Sequence, residues 1–166
     1  MSTTQLTDER LRTWLIDQSD CERLCIAVLA TQPNYTNVQP RRPVGGPDGG
    51  RDIEALYKDQ NLVWGAVGFR HKANDSAEDK KWVKNKYKND LEAARKHNSD
   101  LRGFVFFTNV DLTPGEVAEL EDLARSLDFT FTDIFYRERL RIALDQPVGL
   151  AFRYQYLNIA MEPAEQ

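Results

Sequence analysis

The chain is poor in cysteine and histidine, and it has no long apolar run. It contains two cysteines and two histidines among 166 residues, too few for a disulfide-stapled fold or a zinc site rich in such ligands. Cys21 and Cys25, four residues apart on a predicted helix, are therefore interpreted as small buried residues rather than a redox or zinc pair. No apolar run approaches the roughly 20 residues that span a bilayer. Because the first residues are also polar, without the apolar segment of a secretory leader, the sequence predicts a cytoplasmic protein that does not enter a membrane.

The chain also lacks an overall excess of cationic residues. Its formal net charge is −4, which argues against a nonspecific coat for nucleic acid. Residues 70–97 are the exception, with nine Lys or Arg against five Asp or Glu. Lys81, Lys84 and Lys88 lie together on one face of a predicted helix in this stretch. They are interpreted either as contacts to nucleic-acid phosphates or as an ordinary solvated helix face.

Hydrophobic periodicity predicts an α/β domain with a mixed sheet. Ser19 and Glu22 form a capping-box pattern at the start of a helix that reaches Ala30. Thr113 and Pro114 mark the start of another helix, and Ser76 marks a third.

The predicted divisions of the chain are an N-terminal helical extension (1–18), a main domain (19–145) and a C-terminal extension or linker start (146–166). The predicted elements are helix 7–17, helix 19–30, extended segment 35–42, strands 51–57 and 62–69, helix 76–97, strand 104–107, helix 113–127, strand 129–135 and helix 137–144.

A glycine-rich acidic turn precedes the first hairpin strand. Residues 45–54 contain four glycines and three carboxylates, those of Asp48, Asp52 and Glu54. Asp52 stands at the junction of turn and strand, and the next strand is followed by the cations Arg70 and Lys72. Carboxylate oxygens that hold Mg²⁺, with a cation beside the attacking water, are what phosphodiester hydrolysis requires. Asp48 is also a residue that organises turns, which is the simpler interpretation of that side chain.

Several ordered motifs resemble those of Mrr-like restriction endonucleases, of the PD-(D/E)xK nuclease superfamily. Asp48-Gly49-Gly50-Arg51-Asp52 resembles the family's D-G-G-x-D turn, and Glu22 matches its helix glutamate. The segments 106–116 and 134–140 resemble its strand with a threonine loop and its closing strand and helix. The resemblance covers about residues 19–144. It implies a restriction-endonuclease-like three-layer fold, with a central mixed β-sheet flanked by helices, and a Mg²⁺ or Mn²⁺ ion held by Asp52.

The third motif departs from the family. Where the family has Glu-x-Lys or Gln-x-Lys, this chain has Gly68-Phe69-Arg70, so the second acid is missing. An arginine cannot be deprotonated, so Arg70 stabilises charge but is a poor proton acceptor. Lys72 is a candidate substitute for the lysine, and Glu54, two residues from Asp52, is the candidate second metal ligand.

Two functional hypotheses follow from the resemblance. The first is a metal-dependent DNA endonuclease of the Mrr-like type, a module of a bacterial defence protein, with Asp52, Glu22, Arg70 and Lys72 as catalytic residues. The alternative is a degenerate nuclease-fold module that binds nucleic acid or a protein partner without cleavage. In that case Arg70 pairs with Asp52. Glu22 has a separate alternative interpretation, that of a helix-capping residue only. A homodimer, a purely structural dimerisation domain and fusion to further domains remain open at this point.

Overall fold

The fold is described from a computed structural model that covers residues 1–14, 17–40 and 52–166. Most of the glycine-rich turn, including Asp48, lies outside these residues. The helices and strands are α1 (Thr3–Thr13), α2 (Gln18–Ala30), β1 (Tyr35–Pro40), β2 (Ile53–Tyr57), β3 (Asn61–Val67), α3 (Ala77–His97), β4 (Gly103–Phe107), α4 (Pro114–Ser126), β5 (Phe131–Phe135), α5 (Arg137–Asp145) and α6 (Leu150–Leu157).

The strands form one five-stranded mixed sheet with the order β1-β2-β3-β4-β5. The first three strands are antiparallel, and β3, β4 and β5 run parallel to one another. Helix α3 connects β3 to β4, and α4 connects β4 to β5. The predicted α/β domain with a mixed sheet flanked by helices is therefore confirmed.

The two central strands bury side chains on both faces of the sheet. Val67 and Phe107 face a core that also contains residues of α1, α2, α5 and α6. Ala66 and Phe106, one position earlier, face a second core beneath α3 and α4. This alternation follows from the twofold side-chain period of a strand and explains why β3 and β4 are apolar on both faces.

Both chain extensions contribute to the first core. Leu11 of α1 and Leu157 of α6 are buried in the same cluster as the side chains of α2 and α5, so the predicted divisions after residues 18 and 145 fall within one core. Cys21 and Cys25 lie in this cluster too. Burial, and then a hydrogen bond with Cys25, raises the pKa of the Cys21 thiol well above its usual value, which is expected of an unreactive structural cysteine. Among the helices described, none is long and apolar enough to cross a membrane.

Helix starts were predicted with mixed success. The Thr113 side chain accepts the N–H of Glu116, with Pro114 in the first turn, and Ser76 accepts the N–H of Asp79, as predicted. The Ser19 capping box is wrong, because Asp17 caps α2 through the N–H of Asp20. The first helix spans Thr3–Thr13 instead of 7–17, and α6 was not predicted.

Candidate functional site

The candidate site lies where β3 ends, at the carboxyl edge of the parallel part of the sheet. Asp52 immediately precedes β2, and its N–H donates to the carbonyl of Gly65 at 2.7 Å. The N–H of Val67, the last residue of β3, donates to Asp52 Oδ2 at 3.0 Å. The bond to Gly65 thus fixes the Asp52 backbone beside β3, and the Val67 N–H holds its carboxylate at the edge where open α/β sheets bind ligands.

The electrostatic surroundings of Asp52 are unusual for a carboxylate. Burial, and then the negative charge of Glu22, raise the pKa of Asp52 from 3.8 to about 6. The Val67 N–H and the Lys86 ammonium counteract this rise, and Asp90 adds to it. A half-buried acid perturbed by burial and by specific charges in this way is typical of functional sites.

Glu22 lies in α2 and is almost fully buried, at 4% exposure. The Gln18 amide donates to Glu22 Oε1 at 3.2 Å. Because Asp17 caps α2, the capping role that was the alternative interpretation of Glu22 is wrong. Its influence on the pKa of Asp52 places the helix glutamate in the same electrostatic environment as the turn aspartate.

Glu54 is engaged in the sheet. Trp64 Nε1 on β3 donates to Glu54 Oε1 at 3.1 Å, and Gln39 Nε2 on β1 donates to Glu54 Oε2 at 3.2 Å. The Glu54 carboxylate therefore bridges the strands on both sides of β2. These bonds give Glu54 a structural role in the sheet, which differs from the metal-ligand role predicted for it.

The Arg70 guanidinium is directed towards the start of α3. β3 ends at Val67, so Arg70 lies beyond the strand. Its Nε donates to Asp79 Oδ1 at 3.2 Å, and the guanidinium carbon lies 5.0 Å from the centre of the Trp82 ring. The partner of Arg70 is therefore Asp79, and not Asp52, the partner considered from the sequence. Lys72 is exposed and adopts a left-handed backbone conformation, with φ of 54°.

The predicted phosphate contacts Lys81, Lys84 and Lys88 lie on the outer side of α3. Lys84 Nζ pairs with Glu119 Oε2 of α4 at 3.0 Å. Lys81 and Lys84 also line a groove of about 200 Å³ between α3 and α4, where Glu119 lies as well. Acidic residues of α4 therefore offset part of the charge of this stripe.

Lys86 and Asp90 of α3 are the residues that sequence reasoning missed. Lys86 Nζ lies 2.9 Å from Asp90 Oδ2. Both charges shift the pKa of Asp52, which Lys86 lowers and Asp90 raises. Burial raises the pKa of Asp90, and the Lys86 ammonium opposes that rise. Side chains of an α-helix advance by about 100° per residue, so Lys86 is about 140–160° from each of the three predicted lysines. A Lys–Asp pair at i and i+4 was the available sequence signal.

Asn109 fixes the chain segment that follows β3. Its side chain is fully buried, and its Oδ1 accepts the N–H of Arg70 at 2.8 Å. Its Nδ2 donates to the Arg70 carbonyl at 2.7 Å and to the Leu11 carbonyl at 2.8 Å. One amide therefore connects the end of β3, the loop after β4 and the last turn of α1.

Replacing Asn109 with leucine is expected to lower the free energy of unfolding by about 2–3 kcal/mol, because the buried Arg70 and Leu11 backbone groups lose their partners. Urea unfolding followed by circular dichroism measures this. The matched control is Asn85→Leu, an exposed position on α3, which should change stability by about 0.5 kcal/mol or less. Equal effects of the two substitutions would contradict the role assigned to Asn109.

The donor chemistry of the site suits a hard divalent cation, although the protein supplies few ligands. In the part of the chain described, no group of three or more His, Cys, Asp and Glu side chains is arranged to hold a metal ion. Mg²⁺ commonly uses one or two carboxylates and completes its octahedron with water and substrate phosphate oxygens. Asp52, with Glu22 nearby, fits this second type of site.

Comparison with known proteins assigns no family: no protein-family model matches the chain, and no curated protein is significantly similar to it.

Proposed function

We propose that the protein is a metal-dependent DNA endonuclease of the Mrr-like type, with a restriction-endonuclease-like fold and Mg²⁺ or Mn²⁺ as the cofactor. It would act as the nuclease module of a bacterial defence protein, cleaving phosphodiester bonds. The observation that carries the proposal is the Asp52 carboxylate, which backbone hydrogen bonds fix at the end of β3 and whose pKa is raised to about 6.

The order of elements supports the same conclusion. An antiparallel β1-β2-β3 meander is followed by two parallel strands, and the acid lies at the entry to β2. Glu22 comes from α2, and its charge acts on Asp52. Two acids from separate elements therefore approach one edge of the sheet. Bound Mg²⁺ would supply a Lewis acid and an activated water there. Asp52 would contribute a metal ligand, and Glu22 a second carboxylate.

The test is cleavage of supercoiled plasmid DNA in Mg²⁺ or Mn²⁺ by the wild type and by Asp52→Asn. We expect the variant to lose at least about 100-fold in rate, because even outer-shell changes at metal sites cost about 10–100-fold. The matched control is Asp59→Asn, which makes the same chemical change in the exposed turn at the other end of the β2–β3 hairpin. Equal cleavage by wild type and Asp52→Asn would refute the proposal.

A non-cleaving nuclease-fold module is the second candidate. The observation that favours it is the engagement of Arg70 with Asp79 and Trp82, because the cation of the third motif then serves the fold. Calorimetric titration with Mn²⁺ separates the two functions. Binding that disappears in Asp52→Asn supports the endonuclease. A wild type that binds duplex DNA but neither binds Mn²⁺ nor cleaves supports the module.

A further inference from the structure

The missing side chain at position 68 leaves space that a helix side chain fills. Gly68 follows β3, and its N–H donates to the carbonyl of Phe107 at 2.8 Å. A Cβ atom on Gly68 would lie 3.0 Å from Lys86 Cγ and 3.0 Å from Phe106 Cζ. The stem of Lys86 therefore passes directly over the position from which a strand side chain would project.

Lys86 is held in this place by its own helix. Asp90, one turn later, is 9% exposed and pairs with the Lys86 ammonium at 2.9 Å. The Lys86 side chain keeps 36% of its surface exposed, so the ammonium remains accessible to a ligand. Trp82, one turn earlier, would also contact a side chain at position 68, at 3.4 Å. This face of α3 thus covers the end of β3.

We infer that Lys86 is the catalytic cation of the site and that Asp90 is the residue that positions it. α3 would then supply the two groups that Gly68-Phe69-Arg70 does not supply from the strand. The inference rests on the proposed endonuclease function. It assigns the cation to the side of α3 that faces Asp52, and not to Arg70, Lys72 or the outer lysine stripe.

The reaction defines what Lys86 does. A water oxygen forms a bond to phosphorus while the bond from phosphorus to the leaving sugar oxygen breaks. The proton that the water loses is balanced by the proton that the leaving oxygen gains, and no oxidation occurs. An ammonium has three donors and no acceptor. Lys86 therefore donates hydrogen bonds to a non-bridging phosphoryl oxygen and stabilises the negative charge that develops there.

The primary test compares Lys86→Met with Lys96→Met, which removes the same charge from an exposed position in the last turn of α3. We expect Lys86→Met to lower kcat by about 100-fold or more, the cost of removing one preorganised donor, and Lys96→Met to change it less than about twofold. Mn²⁺ affinity, measured by calorimetry, should be unchanged in both variants because neither lysine binds metal. Duplex affinity measured in Ca²⁺ should fall about tenfold for Lys86→Met only, from the lost charged hydrogen bond.

A second variant is needed because Lys86→Met leaves the buried Asp90 without its cation, which destabilises the fold. Gly68→Ala keeps every charge but places a methyl group against Lys86 Cγ. It should lower kcat by at least about tenfold with Mn²⁺ affinity intact, because displacement of a catalytic group by about 1 Å can cost about 100-fold.

The positioning role of Asp90 is tested by two substitutions. The kcat should fall in Asp90→Ala and recover partly in Asp90→Glu, with KM unchanged in both variants.

The outcomes separate this inference from the proposed function. Full activity of folded Lys86→Met, or of Gly68→Ala, while Asp52→Asn is inactive overturns the inference and leaves the endonuclease standing. An Asp52→Asn variant as active as the wild type overturns both. Loss of Mn²⁺ binding in Lys86→Met would mean that the lysine acts by holding the metal-binding carboxylates, which also overturns the inference.

Discussion

Replacement of Arg137 by methionine is expected to lower the free energy of unfolding by about 3 kcal/mol, because Arg137 makes several charge-assisted hydrogen bonds and such bonds contribute about 1.5–3 kcal/mol each. Its side chain is 7% exposed, and its Nε pairs with Asp8 at 2.7 Å. Its terminal nitrogens donate to both oxygens of Asp75 at 2.8 Å. NH2 also lies 3.2 Å from Asp111, and NH1 lies 3.1 Å from the Asn109 carbonyl.

The charge balance around Arg137 explains the size of this effect. Burial works against the charged guanidinium, but the hydrogen bonds to Asp75 and Asp8 outweigh it and raise the pKa of Arg137 above its usual value. Without the cation, three carboxylates from α1 and two loops face one another with no counter-charge. Arg137 therefore connects α5 to the loops after β3 and β4, which carry Asp75 and Asp111.

Urea unfolding at pH 7 measures the Arg137 effect. The control is Arg125→Met on α4, whose side chain is 64% exposed and pairs with Asp122 of the same helix. Exposed pairs of this kind contribute about 0–1 kcal/mol. A loss below about 1 kcal/mol for Arg137→Met would show that the network does not stabilise the fold.

Asp52→Asn is expected to stabilise the protein at pH 8 while it abolishes cleavage. The pKa of Asp52 rises from 3.8 to about 6 on folding, so the native state binds a proton more tightly than the unfolded chain does. Between these pH values the free energy of unfolding falls as pH rises. Above pH 6 the ionised carboxylate costs about 1–3 kcal/mol, at 1.36 kcal/mol per pH unit of pKa difference. Asparagine avoids this cost and still accepts the Val67 N–H.

The pH dependence distinguishes this effect from a general gain in stability. Thermal and urea unfolding of wild type and Asp52→Asn should differ fully at pH 8 and converge near pH 3, below both pKa values, where the wild-type carboxyl is protonated in the folded and in the unfolded state. Asp59→Asn should show no such trend. A variant that is less stable than the wild type at pH 8, or a stability difference that persists at pH 3, would contradict the raised pKa of Asp52. The expected result is a trade-off between stability and activity.

Local signals predicted those elements whose structure depends on nearby residues. Thr113, Pro114 and Glu116 start α4 as their chemistry requires, and the buried run of β4 has apolar residues on both faces. The Ser19–Glu22 pattern misled because Asp17, two residues earlier, offered an equally good cap. Helix α6 was missed; it packs against α5, which is close in sequence, and against α1 and α2, which are distant in sequence.

The candidate site also contains residues that local sequence signals identify and residues whose role depends on contacts between distant parts of the chain. Asp52 could be identified from its place beside a glycine-rich turn and a strand, and Glu22 from its place in the helix that precedes the turn. The partners of Arg70 could not be predicted, because spacing along β3 says nothing about α3, whose Asp79 and Trp82 contact the guanidinium. Lys81, Lys84 and Lys88 were chosen because they form a stripe, but a stripe on a helix does not reveal which side meets the sheet.

By itself, the sequence determined the α/β class, most helix and strand positions and the acid at the entry to β2. These depend on the twofold and 3.6-residue periods and on local capping chemistry. Only the tertiary structure decided that Lys86 and Asp90 approach Asp52. Their approach depends on how α3 is rotated about its own axis. The packing of Val83, Tyr87 and Leu91 in the second core determines this rotation. The glycine at position 68, an apparent defect in the motif, is what gives the Lys86 side chain its space.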